Sequence, residues 1–316
     1  MLPDEKKDRI RAMRPNPSPA PQTPVFGVFM AFTAFLIWGL SPIYWRALDQ
    51  VSAFEIILHR MLWSFVILVP LVVAGRQWHA FRHALATPRI LGTLLLTSVL
   101  VGANWLLYIW AVNNGRVLQA SLGYYINPLV NVLLGMIFLG ERLRRAQTLA
   151  VCLAAAGVLY LTMRHGVFPW VSLALAFSFG IYGLVRKVAA VGALVGLTVE
   201  TLLLTLPAAI WIAHLHRMGS GAFLHSGMRT DLLLMGTGIL TATPLLLFNL
   251  GAKRITLATL GFVQYTAPTG MLLLGITLFG EPFTTVQAMT FGLIWTALAI
   301  YSWDALRMHR QRRRLE

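Results

Sequence analysis

Four ionisable side chains stand in stretches that are otherwise apolar. Glu55, His59 and Arg60 fall within Ala53–Val73, and Glu200 falls within Leu194–Ala213. An ionised group at membrane depth costs several kcal/mol, so such residues are candidates for ion or proton handling. Glu55 and His59 are four apart and share a helical face; Arg60 is close enough in sequence to pair with them. In one reading the three form a structural ion pair near the outer mouth, with Arg60 snorkelling toward water. In the other, Glu55 is a proton or cation site and Glu200 is its mate, so all four are candidate coupling residues.

A second set could bind a solute by hydrogen bonds and stacking: Asn104 and Tyr108 at i, i+4, Tyr124 and Asn131, and Gln264. Pro128 and Pro268 are candidate helix breakers. Each removes an amide donor and crowds the carbonyl four residues back, freeing those of Tyr124 and Gln264. Freed carbonyls at membrane depth suit a cavity or a partner helix. Tyr124, Pro128, Asn131 and Gly135 share one face, as do Gln264, Pro268, Met271 and Gly275; a kinked packing face accounts for the same pattern. Trp45 and Trp303, near span ends, fit interfacial anchors. Glu141, with Arg144 and Arg145 three and four residues on, fits a helix-end salt bridge. Ala146, Ala150 and Ala154, like Ala288, Gly292 and Thr296, mark expected helix contacts. Cys152, the single cysteine, fits a buried packing residue. His79 and His83 have metal-like spacing but no nearby carboxylate, and no Gly-Lys dipeptide offers a phosphate loop.

The elements that must position these residues are membrane spans. Of 316 residues, 57% are hydrophobic and 12% charged, and mean hydropathy is +0.70. Soluble domains carry about 25% charge, which excludes soluble enzymes and disordered or disulfide scaffolds. A core about 30 Å thick needs about 20 helical residues. Ten blocks qualify: Val25–Trp45, Ala53–Val73, Ile90–Val112, Leu118–Leu139, Gln147–Met163, Phe168–Val185, Leu194–Ala213, Asp231–Gly251, Leu257–Phe279 and Val286–Trp303. The fold class expected is all-α integral membrane.

Alternate connections then share a side, and twenty of the 26 Lys/Arg fall on one side against five on the other, with Arg60 inside a span. This is the positive-inside pattern, putting both termini in the cytoplasm. The net charge of +15 therefore orients the chain toward anionic lipid rather than nucleic acid. Residues 1–24, charged and then proline-rich, read as a disordered tail rather than a signal peptide, and 305–316 as a basic tail.

The chain also repeats. Ala120-Ser121-Leu122-Gly123 recurs as Ala258-Thr259-Leu260-Gly261, and Pro128, Gly135, Gly140, Glu141 and Gln147 recur as Pro268, Gly275, Gly280, Glu281 and Gln287. Trp38-Gly39-Leu40 is echoed by Tyr182-Gly183-Leu184, and Glu55 by Glu200. Two units of five spans follow, 25–163 and 168–304. Five is odd, so the second must be inverted, the architecture of secondary transporters with a midplane site.

Several stretches resemble the RarD subfamily of the EamA family, in the drug/metabolite transporter superfamily. They are Gly102–Asn114 (GANWLLYIWAVNN), Ala120–Arg145, Glu55–Arg60, Ala176–Lys187 and Leu260–Glu281. The resemblance covers Phe26 to Asp304. It implies a ten-helix bacterial inner-membrane permease of two inverted EamA repeats, an exporter of drugs or metabolites, in a subfamily labelled by chloramphenicol sensitivity. Val25–Trp45 has no ionisable residue, unlike the first helix through which small relatives in the superfamily work. The function expected is secondary transport of a small amphipathic solute by alternating access. No enzyme activity or cofactor is expected; the partners are a small-molecule substrate and lipid, with a homodimer left open. A channel or a regulatory scaffold is the alternative.

Overall fold

A computed structural model describes residues 24–114, 116–165, 168–280 and 282–313; Glu281 and most of the N-terminal tail lie outside them. The described residues are helices and short connections, with no strand. In chain order the helices are α1 (Pro24–Leu40), α2 (Pro42–Arg46), α3 (Ala53–Ala74), α4 (Trp78–Ala86), α5 (Pro88–Asn113), α6 (Val117–Leu139) and α7 (Arg145–His165). Then come α8 (Trp170–Val188), α9 (Ala193–Arg217), α10 (Met228–Ala252), α11 (Leu257–Gln264), α12 (Thr266–Thr277) and α13 (Thr285–Arg313). Among the described residues ten segments are long and apolar enough to cross a membrane, and they coincide within a few residues with the ten apolar blocks of the sequence.

Local chemistry accounts for the breaks. The first span divides at Ser41, immediately before Pro42, which has no N–H to continue the helical ladder; Ser41 itself keeps helical angles, and its hydroxyl donates to the Trp38 carbonyl at 2.8 Å. The ninth span divides at Tyr265, three residues before Pro268. Pro128, expected to break its helix in the same way, stands instead inside the uninterrupted α6, as Pro70, Pro207 and Pro244 do in α3, α9 and α10. Neighbouring helices tolerate such prolines by holding the distorted turn. Ser52 caps α3 and Thr256 caps α11, each accepting an N–H from three residues on, at 3.1 Å.

The core is shared by α1, α6, α8, α10 and α11, around Phe35, Leu122, Tyr182, Phe248 and Leu260. The last span pairs with α7 to the side of that core. On α7, Ala150 and Ala154 are fully buried as expected for a contact stripe. On α13 the expected stripe of Ala288, Gly292 and Thr296 faces outward. The contact there is made by Phe291, Ile294, Ala297 and Tyr301, because small residues mark a helix side only when a neighbour occupies it. Cys152 is likewise exposed. The Arg76–Arg89 connection contains α4, which buries Phe81 and Ala84 and presents its polar side outward, the pattern of a helix lying at an interface.

Candidate functional site

Arg60 is the centre of one cluster. Helical geometry turns it about 140° from Glu55 on α3, so the two do not pair; this corrects the expectation of an ion pair. Arg60 points into the bundle, where its Nε donates to the Thr241 hydroxyl on α10 at 2.9 Å. Its guanidinium carbon lies 5.1 Å from the Trp45 ring centroid and 4.8 Å from that of Trp105, within range of cation–π attraction. Trp45 therefore packs on Arg60, and its indole N–H is tethered to Ser41 at 3.0 Å. Trp303, by contrast, is 74% exposed. Tyr108 and Tyr124 meet edge to face at 6.2 Å, in the neighbourhood of Arg60. Arg60, Trp45, Trp105 and Tyr124 are half-buried and Tyr108 is 37% exposed. Four helices thus converge on a cation that no carboxylate balances among the described residues.

Asn104, one turn from Tyr108, is spent elsewhere. Its amide donates to the Leu175 carbonyl and the Ser178 hydroxyl on α8, both at 2.9 Å. Asn131 and Gln264 are brought together, but sealed. Asn131 donates to Gln264 Oε1 at 2.8 Å, and Gln264 donates to Asn127 Oδ1 at 2.8 Å. Asn127 ties the group to α8 through the Ala176 carbonyl at 3.0 Å. All three are 4% exposed or less. Asn127, absent from the candidate residues of the sequence, lies one turn before Asn131, and that spacing is its signal.

The remaining carboxylates act on backbone or on one another. Glu55 Oε1 accepts from the Ala222 and Phe223 N–H groups at 2.7 and 3.1 Å, pinning the α9–α10 connection onto α3. His59 Nε2 is 3.9 Å from that same oxygen, while its Nδ1 accepts the Trp63 indole N–H at 3.1 Å. Phe223 lies 4.8 Å from the His59 ring. Glu200 lies in a fully buried network. Arg186 Nε sits 3.4 Å from its carboxylate, Thr97 donates to it at 2.5 Å, and Tyr182 at 3.3 Å. Asn249 accepts from Arg186 and donates to Tyr182. Arg186 follows the apolar block Phe168–Val185 and so reads in sequence as a loop cation, yet it is 0% exposed. It fits because residue 196 is glycine: a Cβ there would lie 2.1 Å from Arg186 Nη1.

Glu141 corrects another expectation. Gly140 takes a left-handed φ of 64°, closing α6 and turning the chain back so that Glu141 N–H donates to the Gly135 carbonyl at 3.0 Å. The carboxylate then accepts from Leu257 and Ala258 N–H at 2.7 and 3.0 Å. It caps α11, where orphan amides and the helix dipole favour an anion, and it pairs with neither Arg144 nor Arg145. Arg144 pairs with Asp304 instead. Lys187 donates to the carbonyls of Ala252, the last residue of α10, and of Ile255 beyond it, and Lys253 to the Ala189 carbonyl beyond α8. Burial, with Arg186 and Lys187 nearby, holds the Lys253 ammonium below the usual lysine range.

Comparison with known proteins agrees with this architecture. Residues 25–163 match the EamA-like transporter family. Protein RarD of Salmonella typhi is 49% identical over 286 residues, covering 90% of this chain and 97% of that protein. Protein RarD of Escherichia coli K12 is 47% identical, covering 90% and 96%. An uncharacterized transporter of Vibrio cholerae is 48% identical, covering 91% and 95%. A solved crystal structure 20% identical to the chain has the same fold, with a TM-score of 0.67 over 89% of this chain and 98% of that one. The chain belongs to the RarD subfamily of the EamA-like transporters, in the drug/metabolite transporter superfamily, and is a multi-pass membrane transporter.

Proposed function

We propose that the protein is a secondary transporter of the bacterial inner membrane, moving a small amphipathic or aromatic solute by alternating access between two inverted five-span halves. The observation that carries this reading is the contrast along the bundle. Arg60 and Tyr124 are half-buried and Tyr108 is 37% exposed, whereas Asn127, Asn131 and Gln264 are hydrogen-bonded shut. In sequence, Tyr108 and Tyr124 flank the α5–α6 connection, on the side that the charge pattern makes external. The sealed amides lie further along α6 and α11 toward the cytoplasm. A solute that binds at Arg60 and draws the tyrosines inward, while the amide triad opens, crosses without a continuous pore.

Glu55 and Glu200 are the coupling groups in this reading. Each carboxylate holds a contact between elements that protonation weakens: the Ala222–Phe223 amides for Glu55, and Arg186 for Glu200. His59 sits beside the first as a proton partner.

The test is a paired profile of extracellular and intracellular small molecules, with chloramphenicol among added solutes because a Pseudomonas aeruginosa relative is named chloramphenicol-sensitive protein RarD. Cells would express the parent, no protein, or Glu55→Gln, Asn131→Leu or Gln264→Leu. The expected result is a compound whose distribution follows expression of the parent and fails to follow the folded variants. Equal movement by all folded variants would remove these residues from the site, and new chemical species would point to an enzyme.

A further inference from the structure

The cluster around Arg60 is short of one negative charge. From α3 comes the guanidinium, from α2 and α5 the Trp45 and Trp105 indoles, from α5 and α6 two phenols, and from α10 the Thr241 hydroxyl. None of these is an anion. The nearest carboxylate in sequence, Glu55, is turned away onto the Ala222 and Phe223 amides, and Glu200 is committed to Arg186. Thr241 occupies Nε only. The two terminal nitrogens have no acceptor among the described residues, where the one hydrogen bond of the guanidinium is that of Nε. Aromatic faces attract the cation but do not neutralise it, and an uncompensated charge at membrane depth is costly.

We infer that Arg60 is the anion-recognition residue of the solute site, and that the solute is a monocarboxylate with an aromatic or apolar body. This rests on the reading of the cluster as the transport site and narrows its substrate class. A carboxylate engages the free guanidinium edge through two parallel hydrogen bonds and balances its single charge. A phosphate monoester, carrying about −1.5 to −2 at pH 7, leaves the site negative. The Tyr108 and Tyr124 hydroxyls supply further donors, and the indoles supply a surface for a flat ring.

The test uses the full chain in nanodiscs of phosphatidylcholine, followed by thermal unfolding. The probes are benzoate, phenylacetate and indole-3-acetate, each against its own neutral amide, with inorganic phosphate as a further probe. The expected result is a higher unfolding midpoint with one or more carboxylates, none with the amides or phosphate, and at least tenfold weaker binding in Arg60→Gln. Without ligand, Arg60→Gln should melt no lower than the parent, because it removes a charge that nothing balances. Should that variant fail to fold, Arg60→Lys keeps the charge without the planar edge and should weaken binding without abolishing it. Stabilisation by amides, persistence in Arg60→Gln, or no response to any carboxylate would overturn the inference. Arg60-dependent stabilisation by phosphatidylglycerol alone would overturn it too, by assigning the anion to a lipid headgroup. Neutral solutes moved as well by Arg60→Gln as by the parent would sink the anion and leave the transporter; no solute moved by the parent would sink the transport reading, while the binding measurement still reports on the anion.

Discussion

Arg60 and Arg186 both lie inside the bundle, and the bundle treats them in opposite ways. Arg186 is 0% exposed and meets a carboxylate, an amide oxygen and the Ala193 carbonyl. Arg60 is half-buried and meets one hydroxyl and two indoles. A buried cation with its counter-charge built in is a piece of structure. A half-buried cation with none among the described residues is suited to engage an anion. The same residue type, in the same low-dielectric setting, thus separates into a locked joint and an open site by its partners alone.

The comparison is sharpest where the largest effect is expected. Arg186→Gln leaves Glu200 buried and unpaired, which should cost about 3–5 kcal/mol. Gly196→Ala should do much the same by expelling the guanidinium it now accommodates. The double change Arg186→Gln with Glu200→Gln should recover most of that loss in chemical or thermal unfolding, whereas Arg60→Gln should show no such penalty. Next comes Gln264→Leu, which strands buried amide groups of Asn127 and Asn131; about 1–3 kcal/mol is expected. Glu141→Gln should lose about 1 kcal/mol of the α11 cap, readable as a lower unfolding midpoint. The smallest change should follow Arg144→Ala. Its partner pairing with Asp304 is 42% exposed on the arginine side, and such surface pairs contribute about 0–1 kcal/mol.

The spans were legible because apolar length is a composition property, and the ten blocks needed no knowledge of what touches what. The charged residues were legible as a set but not in their pairings. Glu55, His59 and Arg60 are adjacent in sequence, yet Arg60 turns to Thr241, 181 residues away, and Glu55 to Ala222. Glu141 has two arginines within a helical turn of sequence, but Gly140 ends the helix first and redirects the carboxylate onto α11. Arg186 reads as a loop cation because it lies beside Lys187; only the Gly196 recess shows that it points inward. Pro128 and Pro268 look equivalent, and one helix continues while the other breaks. In each case the missing information is which neighbour arrives from a distant helix.

The contrast between a reachable Arg60 cluster and a sealed amide triad can be measured directly by two-sided labelling. In a Cys152→Ser background, Tyr124→Cys and Asn131→Cys would be exposed in turn to a membrane-impermeant maleimide from outside intact cells and in inside-out vesicles. The expected result is outside labelling of Tyr124→Cys, and labelling of Asn131→Cys only from the cytoplasmic side, rising when a transported solute is added. Labelling of both positions from the same side, with no change on adding solute, would contradict alternating access about this site.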